Sequence, residues 1–218
     1  MKIKDPIQFI YRMETLLDVY KRPFDSRFPV VCMDETTKQL INNICKPLPM
    51  CPGHGERVDY EYERNGVGHL IMFFEPLGGY RRVYVKTSHT KKEWVHCLKE
   101  LMESKYKDAE KVTLVMDNLA VHSAAAFYEF LPAEEARQLL RRFEFQYTPK
   151  HASWLNMAEI ELAALSKQCL DRRISDLDAL KKEIKSWESD RNKTAVSANW
   201  HFTAEDARVK LKKLYPTF

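Results

Sequence analysis

Three acidic residues stand where a divalent metal site can form. Asp34 follows the apolar segment 28–33, and Asp117 follows the apolar segment 112–116. Glu159 lies further along, in an amphipathic segment. Carboxylates that converge on one point bind divalent ions through oxygen, and two ions about 4 Å apart can drive in-line displacement at phosphorus. The pattern is typical of phosphoryl-transfer sites, although a single acid after a strand is more often a turn or cap residue.

Two core strands and one helix must position these acids. The β-branched apolar runs predict strands over 28–33 and 112–116, each ending on its acid. A last strand is expected over 143–147, and a long amphipathic helix from about 153 to 170 carries Glu159. The intervals between the acids leave room for three strands and a helix, and then for a helix and a strand.

The remaining elements follow from caps, turns and periodicity. We expect helices over 6–20, 91–105, 123–131, 175–190 and 203–214, strands over 58–62, 69–75 and 80–86, and hairpin turns at Asn65-Gly66 and Gly78-Gly79. We divide the chain into an N-terminal helix and linker (1–27), a catalytic domain (28–190) and a C-terminal helical tail (191–218).

Composition bounds the class of protein. The 218 residues, 44% of them hydrophobic, can form one sizeable core. A net charge of +4 is too small to indicate nucleic acid by itself. Five scattered cysteines and a start without a signal peptide indicate a reduced, intracellular protein, and no apolar run is long enough to cross a membrane.

Three segments together resemble a known family. VVCMDE (30–35), VMDNLAVH (115–122) and YTPKHASWLNMAE (147–159) resemble the DDE endonuclease domain of mariner-related bacterial insertion-sequence transposases. In that family an Asp-Glu, an Asp-Asn and an Asn-x-x-Glu carry the metal-binding acids, which implies Asp34, Asp117 and Glu159 as the catalytic and metal-binding residues. RVDYEYERNG (57–66), FFEP (73–76) and WHFTAEDAR (200–208) extend the resemblance over nearly the whole chain, from about Asp18 onward.

The resemblance implies an α/β, ribonuclease H-like fold, with a mixed five-stranded sheet flanked by helices. It implies a DNA transposase catalytic domain that cleaves and joins strands, with Mg²⁺ or Mn²⁺ as cofactor, two ions being expected. The implied partners are transposon-end and target DNA and a second copy of the chain on DNA, with no membrane and no small-molecule substrate. The implied location is the bacterial cytoplasm, at the nucleoid.

Residues near the acids have expected supporting roles. Glu161 is the rival third acid, but it lies about 200° around the helix from Glu159, and the Asn156-x-x-Glu159 pattern favours Glu159. Asn156 is expected to position a phosphate or a metal-bound water, its alternative being to start the helix. Asn118 and His122 are expected to orient the acids or contact phosphate, unless they serve ordinary loop structure.

Glu35 points to the opposite face of its strand from Asp34 and is expected to support the site without binding the catalytic metals.

Basic and aromatic residues near the acids are candidates for DNA contacts. The chosen residues are Lys150, His151, Trp154, Arg172 and Arg173. Other basic pairs, including Arg81-Arg82, are available to phosphates in principle, although such pairs are more often solvated. Packing in the core is the alternative for Trp154, which otherwise stacks on a terminal base.

Other readings of the sequence remain open. A zinc site from Cys45, Cys51 and His54 lacks a second close ligand pair and is disfavoured. A structure-selective nuclease or resolvase would share the fold, and a non-catalytic DNA-binding relic would share the ancestry. Mariner-related transposases usually carry helix-turn-helix modules before the catalytic domain, whereas about 27 residues precede the first strand here. We therefore expect weak, sequence-indifferent, salt-sensitive DNA binding from a truncated product or an excised domain.

Overall fold

A computed structural model describes residues 4–55, 57 and 59–217. Over these residues the strands are β1 (Val30–Asn43), β2 (Tyr62–Glu75), β3 (Tyr80–Lys86), β4 (Val112–Met116) and β5 (Phe143–Tyr147). The helices are α1 (Pro6–Tyr20), α2 (Lys91–Glu103), α3 (Ala126–Phe130), α4 (Ala133–Arg141), α5 (Ala158–Leu165), α6 (Leu177–Lys193) and α7 (Ala204–Lys210). Short 3₁₀ turns span Ser153–Leu155 and Lys212–Leu214, and a π-helical turn spans Ser166–Leu170.

The described strands form one mixed sheet in the order β3-β2-β1-β4-β5. β1 pairs antiparallel with β2 and parallel with β4, which pairs parallel with β5. Alternation along each strand gives the sheet two apolar faces. Helices α1, α5, α6 and α7 cover one face, and helices α2, α3 and α4 cover the other. This is the mixed five-stranded sheet with flanking helices that the sequence predicts.

The first strand is longer than predicted. Instead of ending before Asp34, β1 continues to Asn43. Its parallel pairing with β4 is recorded up to Cys32, but antiparallel pairing with β2 continues as far as Asn43 opposite Tyr62. One neighbouring strand is enough to keep the backbone extended, so Asp34 lies within a strand, at the point where the parallel partner ends.

The expected hairpin turn at Asn65-Gly66 is wrong. β2 runs through both residues, and the pairing register shifts between Gln39 and Ile41 of the partner strand. Gly66 has a φ of +87°, which glycine adopts without strain. The dipeptide therefore forms a β-bulge in a continuous strand. The other expected turn, at Gly78-Gly79, is present between β2 and β3.

The two ends of the described chain pack together on one face of the sheet. Asp5 caps α1 by accepting from Gln8 N (3.0 Å), and Met13 and Leu16 of this helix are buried in the same cluster as β1. Arg208 of α7 donates to both carboxylate oxygens of Glu14 in α1 (2.9 and 2.7 Å). Helix α3 is shorter than expected, and α4, which begins after Pro132, was not expected.

A buried ion-pair network fixes the rotation of α5. Glu161 accepts from Arg191 Nε (2.6 Å) and Nη2 (2.9 Å), and Glu161 Oε1 lies 2.9 Å from Arg81 Nε. The side chains of Arg81 and Glu161 are 0% and 4% exposed. Arg81 is therefore unavailable to phosphates, contrary to the expectation for basic pairs. Its guanidinium links β3 to α5, and Arg191 links α6 to the same carboxylate.

We predict that Glu161→Ala lowers the free energy of unfolding by about 3 kcal/mol, because it leaves the buried Arg81 guanidinium without its carboxylate. Urea unfolding monitored by circular dichroism measures the change. The matched control is Asp178→Ala, which breaks the exposed Lys181–Asp178 pair and should cost less than about 1 kcal/mol. Equal losses in the two variants would contradict this account of the network.

Candidate active site

Strand register places Asp34 beside Asp117. The parallel pairing of β1 and β4 aligns Val31 with Leu114 and Cys32 with Val115. Two residues beyond the last recorded pair stand Asp34 and Asp117, on the same face of the sheet as Cys32 and Val115 because side chains alternate. Both acids line an open cavity of about 280 Å³. The register thus brings the first two predicted acids together.

Glu159 reaches this region from the first turn of α5. Its charge is one of those that raise the pKa of Asp34, so the two carboxylates share one electrostatic environment. Glu161, two residues on, is committed to Arg81 and Arg191 on the other side of the helix. This geometry favours Glu159 over Glu161 as the third acid. The assignment of all three as metal ligands remains a prediction.

Asn156 ties the start of α5 to the strand that carries Asp34. Its Nδ2 donates to Met33 O (2.8 Å), and its Oδ1 accepts from Ala158 N (3.2 Å). The continuous helix expected over 153–170 is wrong, because Asn156 has a non-helical ψ of 110° between a 3₁₀ turn and α5. Asn156 is buried and acts as a link between two elements. Contact with phosphate remains a prediction.

The two aspartates have pKa values shifted in opposite directions. Burial raises the pKa of Asp34 from 3.8 to about 6, and the charges of Glu159, Asp117 and Glu35 add to this effect against a hydrogen bond from Glu35 N. Burial also acts to raise the pKa of Asp117, but hydrogen bonds from His122 and Leu119 N outweigh it and the pKa falls below 3.8. Crowding of like charge is therefore concentrated on Asp34.

His122 connects the second acid to Glu35. The buried ring lies with Nδ1 2.8 Å from Asp117 Oδ1 and Nε2 3.2 Å from Glu35 Oε1. Burial acts to lower the pKa of His122, but the two carboxylates raise it to about 9. Asn118, the other expected supporting residue, donates to Thr148 O (2.6 Å) and accepts from Arg12. These contacts fix the loop that carries Asp117.

Each aspartate keeps one oxygen free of protein hydrogen bonds within the described residues. Asp34 Oδ1 accepts from Glu35 N (2.8 Å), and Asp117 Oδ1 takes the contacts with His122 and Leu119 N (3.1 Å). The second oxygen of each acid has no such partner there. Oxygen donors of this kind fit Mg²⁺ or Mn²⁺, and a cation would offset the burial and the repulsion that raise the pKa of Asp34.

A family model that matches most of the chain shows which family it belongs to. The model of the family described as DDE superfamily endonuclease matches residues 29–181, more than half of the chain. The chain belongs to the DDE superfamily of endonucleases. No curated protein matches it.

Solved structures of the mariner Mos1 system are similar to this DDE endonuclease chain. The Mos1 paired end complex with Mg has a TM-score of 0.63 at 18% identity, and the complex with Mn has 0.62 at 17%. The Mos1 Strand Transfer Complex has a TM-score of 0.61 at 17% identity. Each match covers 100% of this chain and 64% of the other, so the chain spans less than two thirds of those proteins. The shared fold is the ribonuclease H-like fold that the resemblance implied.

Two of the predicted DNA-binding residues lie in a basic groove beside the acids. Lys150 and His151 are exposed in the loop after β5, where they line a cavity of about 370 Å³ with Lys4 and Arg12. Arg12 also contacts Asn118, the residue after Asp117. The DDE chain therefore places positive charge next to its acids. Lys4 and Arg12 were missed because they come from the other end of the sequence.

The other predicted DNA contacts lie elsewhere. Arg172 forms an ion pair with Glu183, and Arg173 donates to Asn43 Oδ1 (2.8 Å) on the long β1–β2 ribbon. Neither arginine lines the groove or the acid cavity. Trp154 is 45% exposed and stacks on Trp200, with ring centroids 6.3 Å apart. It is thus partly packed, and DNA contact by these three residues remains a prediction.

Within the described residues, Cys45, Cys51 and His54 do not form a group with ligand atoms within reach of one ion. Cys51 and His54 pair only through backbone hydrogen bonds of 3.1 and 2.9 Å. The described residues also contain no helix that is both long and apolar enough to span a membrane.

We predict that Asp34→Asn stabilises the metal-free protein at pH 8. The folded protein holds a proton on Asp34 more tightly than the unfolded chain does, so stability is lost as pH rises from about 4 to about 6 and stays lower above that range. After allowance for solvent screening, removing the charge should add about 1 to 2 kcal/mol at pH 8 and little at pH 4.

Thermal unfolding of both proteins in a chelator, at the two pH values, checks this. The matched control is Asp117→Asn, which should destabilise the protein at pH 8 because the pKa of Asp117 is lowered. If Asp34→Asn destabilised the protein at pH 8, the charge of Asp34 would not be unfavourable in the folded protein.

Proposed function

We propose that the chain is the catalytic domain of a cut-and-paste DNA transposase, which cleaves DNA at transposon ends and joins the freed ends to target DNA. One observation carries the proposal. Two neighbouring parallel strands place Asp34 and Asp117 at an open cavity, and the first turn of a helix places Glu159 in the electrostatic environment of Asp34. Membership of the DDE endonucleases supports it, as does the fold shared with the Mos1 complexes.

The three acids would hold Mg²⁺ or Mn²⁺, and we propose two ions. When bound, such ions supply Lewis-acid activation of the attacking water or 3′-hydroxyl and neutralise charge on the leaving oxygen. The protein's own part is to keep its carboxylates ionised and aimed. His122 and Leu119 N hold one oxygen of Asp117, and Glu35 N holds one oxygen of Asp34. The second oxygens remain available.

The third acid is positioned through its helix. Asn156 fastens the beginning of α5 to Met33 O, immediately before Asp34. Glu161 fixes the rotation of α5 through Arg81 and Arg191. Glu159 is thereby held without a direct contact to the other acids. We treat residues 28–190 as the catalytic domain, 1–27 as an N-terminal helix and linker, and 191–218 as a C-terminal helical tail; helices α1 and α7 of these segments pack on the domain.

The basic groove would receive the DNA backbone. Lys4, Arg12, Lys150 and His151 line it next to the loop that carries Asp117, where phosphates could be held beside the acids. Trp154 offers a half-exposed ring for base stacking. The Mos1 structures are paired-end and strand-transfer complexes, and we propose that this chain likewise acts as a homodimer on DNA, at the nucleoid of a bacterial cytoplasm.

Two other functions would use the same fold. A structure-selective nuclease or resolvase would cut branched DNA without joining it, and a catalytically inactive relic would bind DNA without cutting it. The extended resemblance and the retention of all three acids favour the transposase over both. The assay described next separates the three possibilities by their products.

We predict that the wild-type chain, with Mn²⁺, joins a labelled oligonucleotide that carries a 3′-hydroxyl to a supercoiled plasmid, and that Glu159→Gln lowers this rate by at least about 100-fold. Gel electrophoresis resolves the joined product. The matched control is Glu134→Gln, an exposed glutamate in the first turn of α4, which should keep the wild-type rate.

Cutting of branched DNA alone, with no joined product, would favour the nuclease. DNA binding with neither reaction would favour the relic.

We also predict that DNA binding is weak, indifferent to sequence and steeply salt-dependent, and that Lys150→Ala reduces the slope of log K against log salt by about 1. Arg172→Ala is the control, because Arg172 is already paired with Glu183 and lies outside the groove. Fluorescence anisotropy at several salt concentrations gives the slopes. A larger effect of Arg172→Ala would place the DNA path elsewhere.

A further inference from the structure

A second group of metal-type ligands lies beside the proposed catalytic centre. Glu35 is on β1, His89 is in the loop between β3 and α2, and His122 follows β4. One ligand atom from each residue lies within 4.8 Å of the other two. Glu35 follows Asp34 on the strand and therefore points to the opposite face. The group is thus separate from the three acids, although Glu35 and His89 line the same cavity.

The hydrogen bonding of His122 directs its second ring nitrogen at Glu35. Nδ1 lies 2.8 Å from Asp117 Oδ1, and a carboxylate accepts, so Nδ1 donates there. Nε2, the other ring nitrogen, lies 3.2 Å from Glu35 Oε1. A metal ion that binds Nε2 would therefore leave the contact with Asp117 in place.

Glu35 also faces His89, on the other side of the group. Glu35 Oε2 and His89 Nε2 contact each other and are closed to solvent. Neither atom has a hydrogen-bond partner of acceptable geometry within the described residues. Buried polar atoms without partners are costly, and an ion that binds both would satisfy them together. Glu35 thus presents one carboxylate oxygen to each histidine, and an ion among the three residues would be within reach of all of them.

We propose that Glu35, His89 and His122 form a further metal site that takes a borderline transition ion such as Zn²⁺ in preference to Mg²⁺. Two imidazole nitrogens and one carboxylate are a common zinc donor set, whereas Mg²⁺ prefers oxygen alone. In a tetrahedral shell with bonds of about 2.1 Å, ligand atoms are about 3.4 Å apart. The ligand atoms of the group lie within 4.8 Å of one another, so small side-chain movements would bring them to this spacing.

Asp117 has a defined part in this site. A histidine that binds metal through one nitrogen usually donates its other N–H to a carboxylate, which fixes the orientation of the ring. Asp117 is that partner for His122. Its hydrogen bond to His122 uses Oδ1 and leaves Oδ2 for the catalytic metals, so both sites can be filled together.

The test is calorimetric titration of Zn²⁺ into the full chain in millimolar Mg²⁺. We expect the wild type to bind one Zn²⁺, and His89→Ala to weaken that binding by at least about 10-fold. His89 lies in a loop and takes no part in the apolar clusters, so the variant should fold, as circular dichroism would verify. His69→Ala is the matched control, since His69 lines the same cavity outside the group.

Two further variants identify the rival destinations of the ion. Glu159→Gln and Cys51→Ser should both bind Zn²⁺ as the wild type does. Loss of binding in Glu159→Gln would assign the ion to the three acids, and loss in Cys51→Ser would assign it to the cysteine loop. Either loss, or unchanged affinity in His89→Ala, would overturn the proposal. Binding that survives in Glu159→Gln supports this site even if the transposase proposal fails.

Discussion

Holding buried carboxylates of like charge close together is the constraint on which the site depends. Burial raises the pKa of Asp34, the charges of Glu159, Asp117 and Glu35 add to that effect, and the shift records the cost of the placement. No attraction between carboxylates can hold such an arrangement, so the backbone must. Parallel pairing of β1 with β4 fixes the two aspartates, and links to Met33, Arg81 and Arg191 fix α5.

The two aspartates meet this constraint differently. Asp117 has His122 and a backbone amide on one oxygen, which favours its charged form. Asp34 has a single backbone amide and takes the larger share of the repulsion. Strand geometry explains the difference. The loop after β4 can fold back to supply donors to Asp117, whereas β1 stays extended through Asp34, where only the amide of Glu35 donates to the carboxylate.

The sequence predicts those parts of the fold that depend on local signals. Strands β4 and β5, helix α1 with its Asp5 cap, and α2 with its Thr90 cap follow from apolar runs and capping residues. The Asn65-Gly66 dipeptide does not distinguish a hairpin turn from a β-bulge, because both need the same positive φ at glycine. Only the pairing with the partner strand decides between them. The proximity of His89 to Glu35 and His122 could not be predicted from the sequence for a similar reason. Its neighbours Glu35 and His122 come from distant segments, which the sheet register brings together.

Basic residues show most clearly why counting charges is a poor guide to a DNA surface. The adjacent residues Arg81 and Arg82 differ because β3 turns one inward, where it pairs with Glu161, and leaves the other part-exposed. The groove beside the acids instead draws on Lys4, Arg12 and Lys150, which share no sequence motif. Local positive charge next to a cluster of carboxylates complements a phosphodiester, whose oxygens are anionic and whose phosphorus is approached by the metal-held nucleophile. Binding and chemistry can therefore be adjacent in a chain whose net charge is only +4.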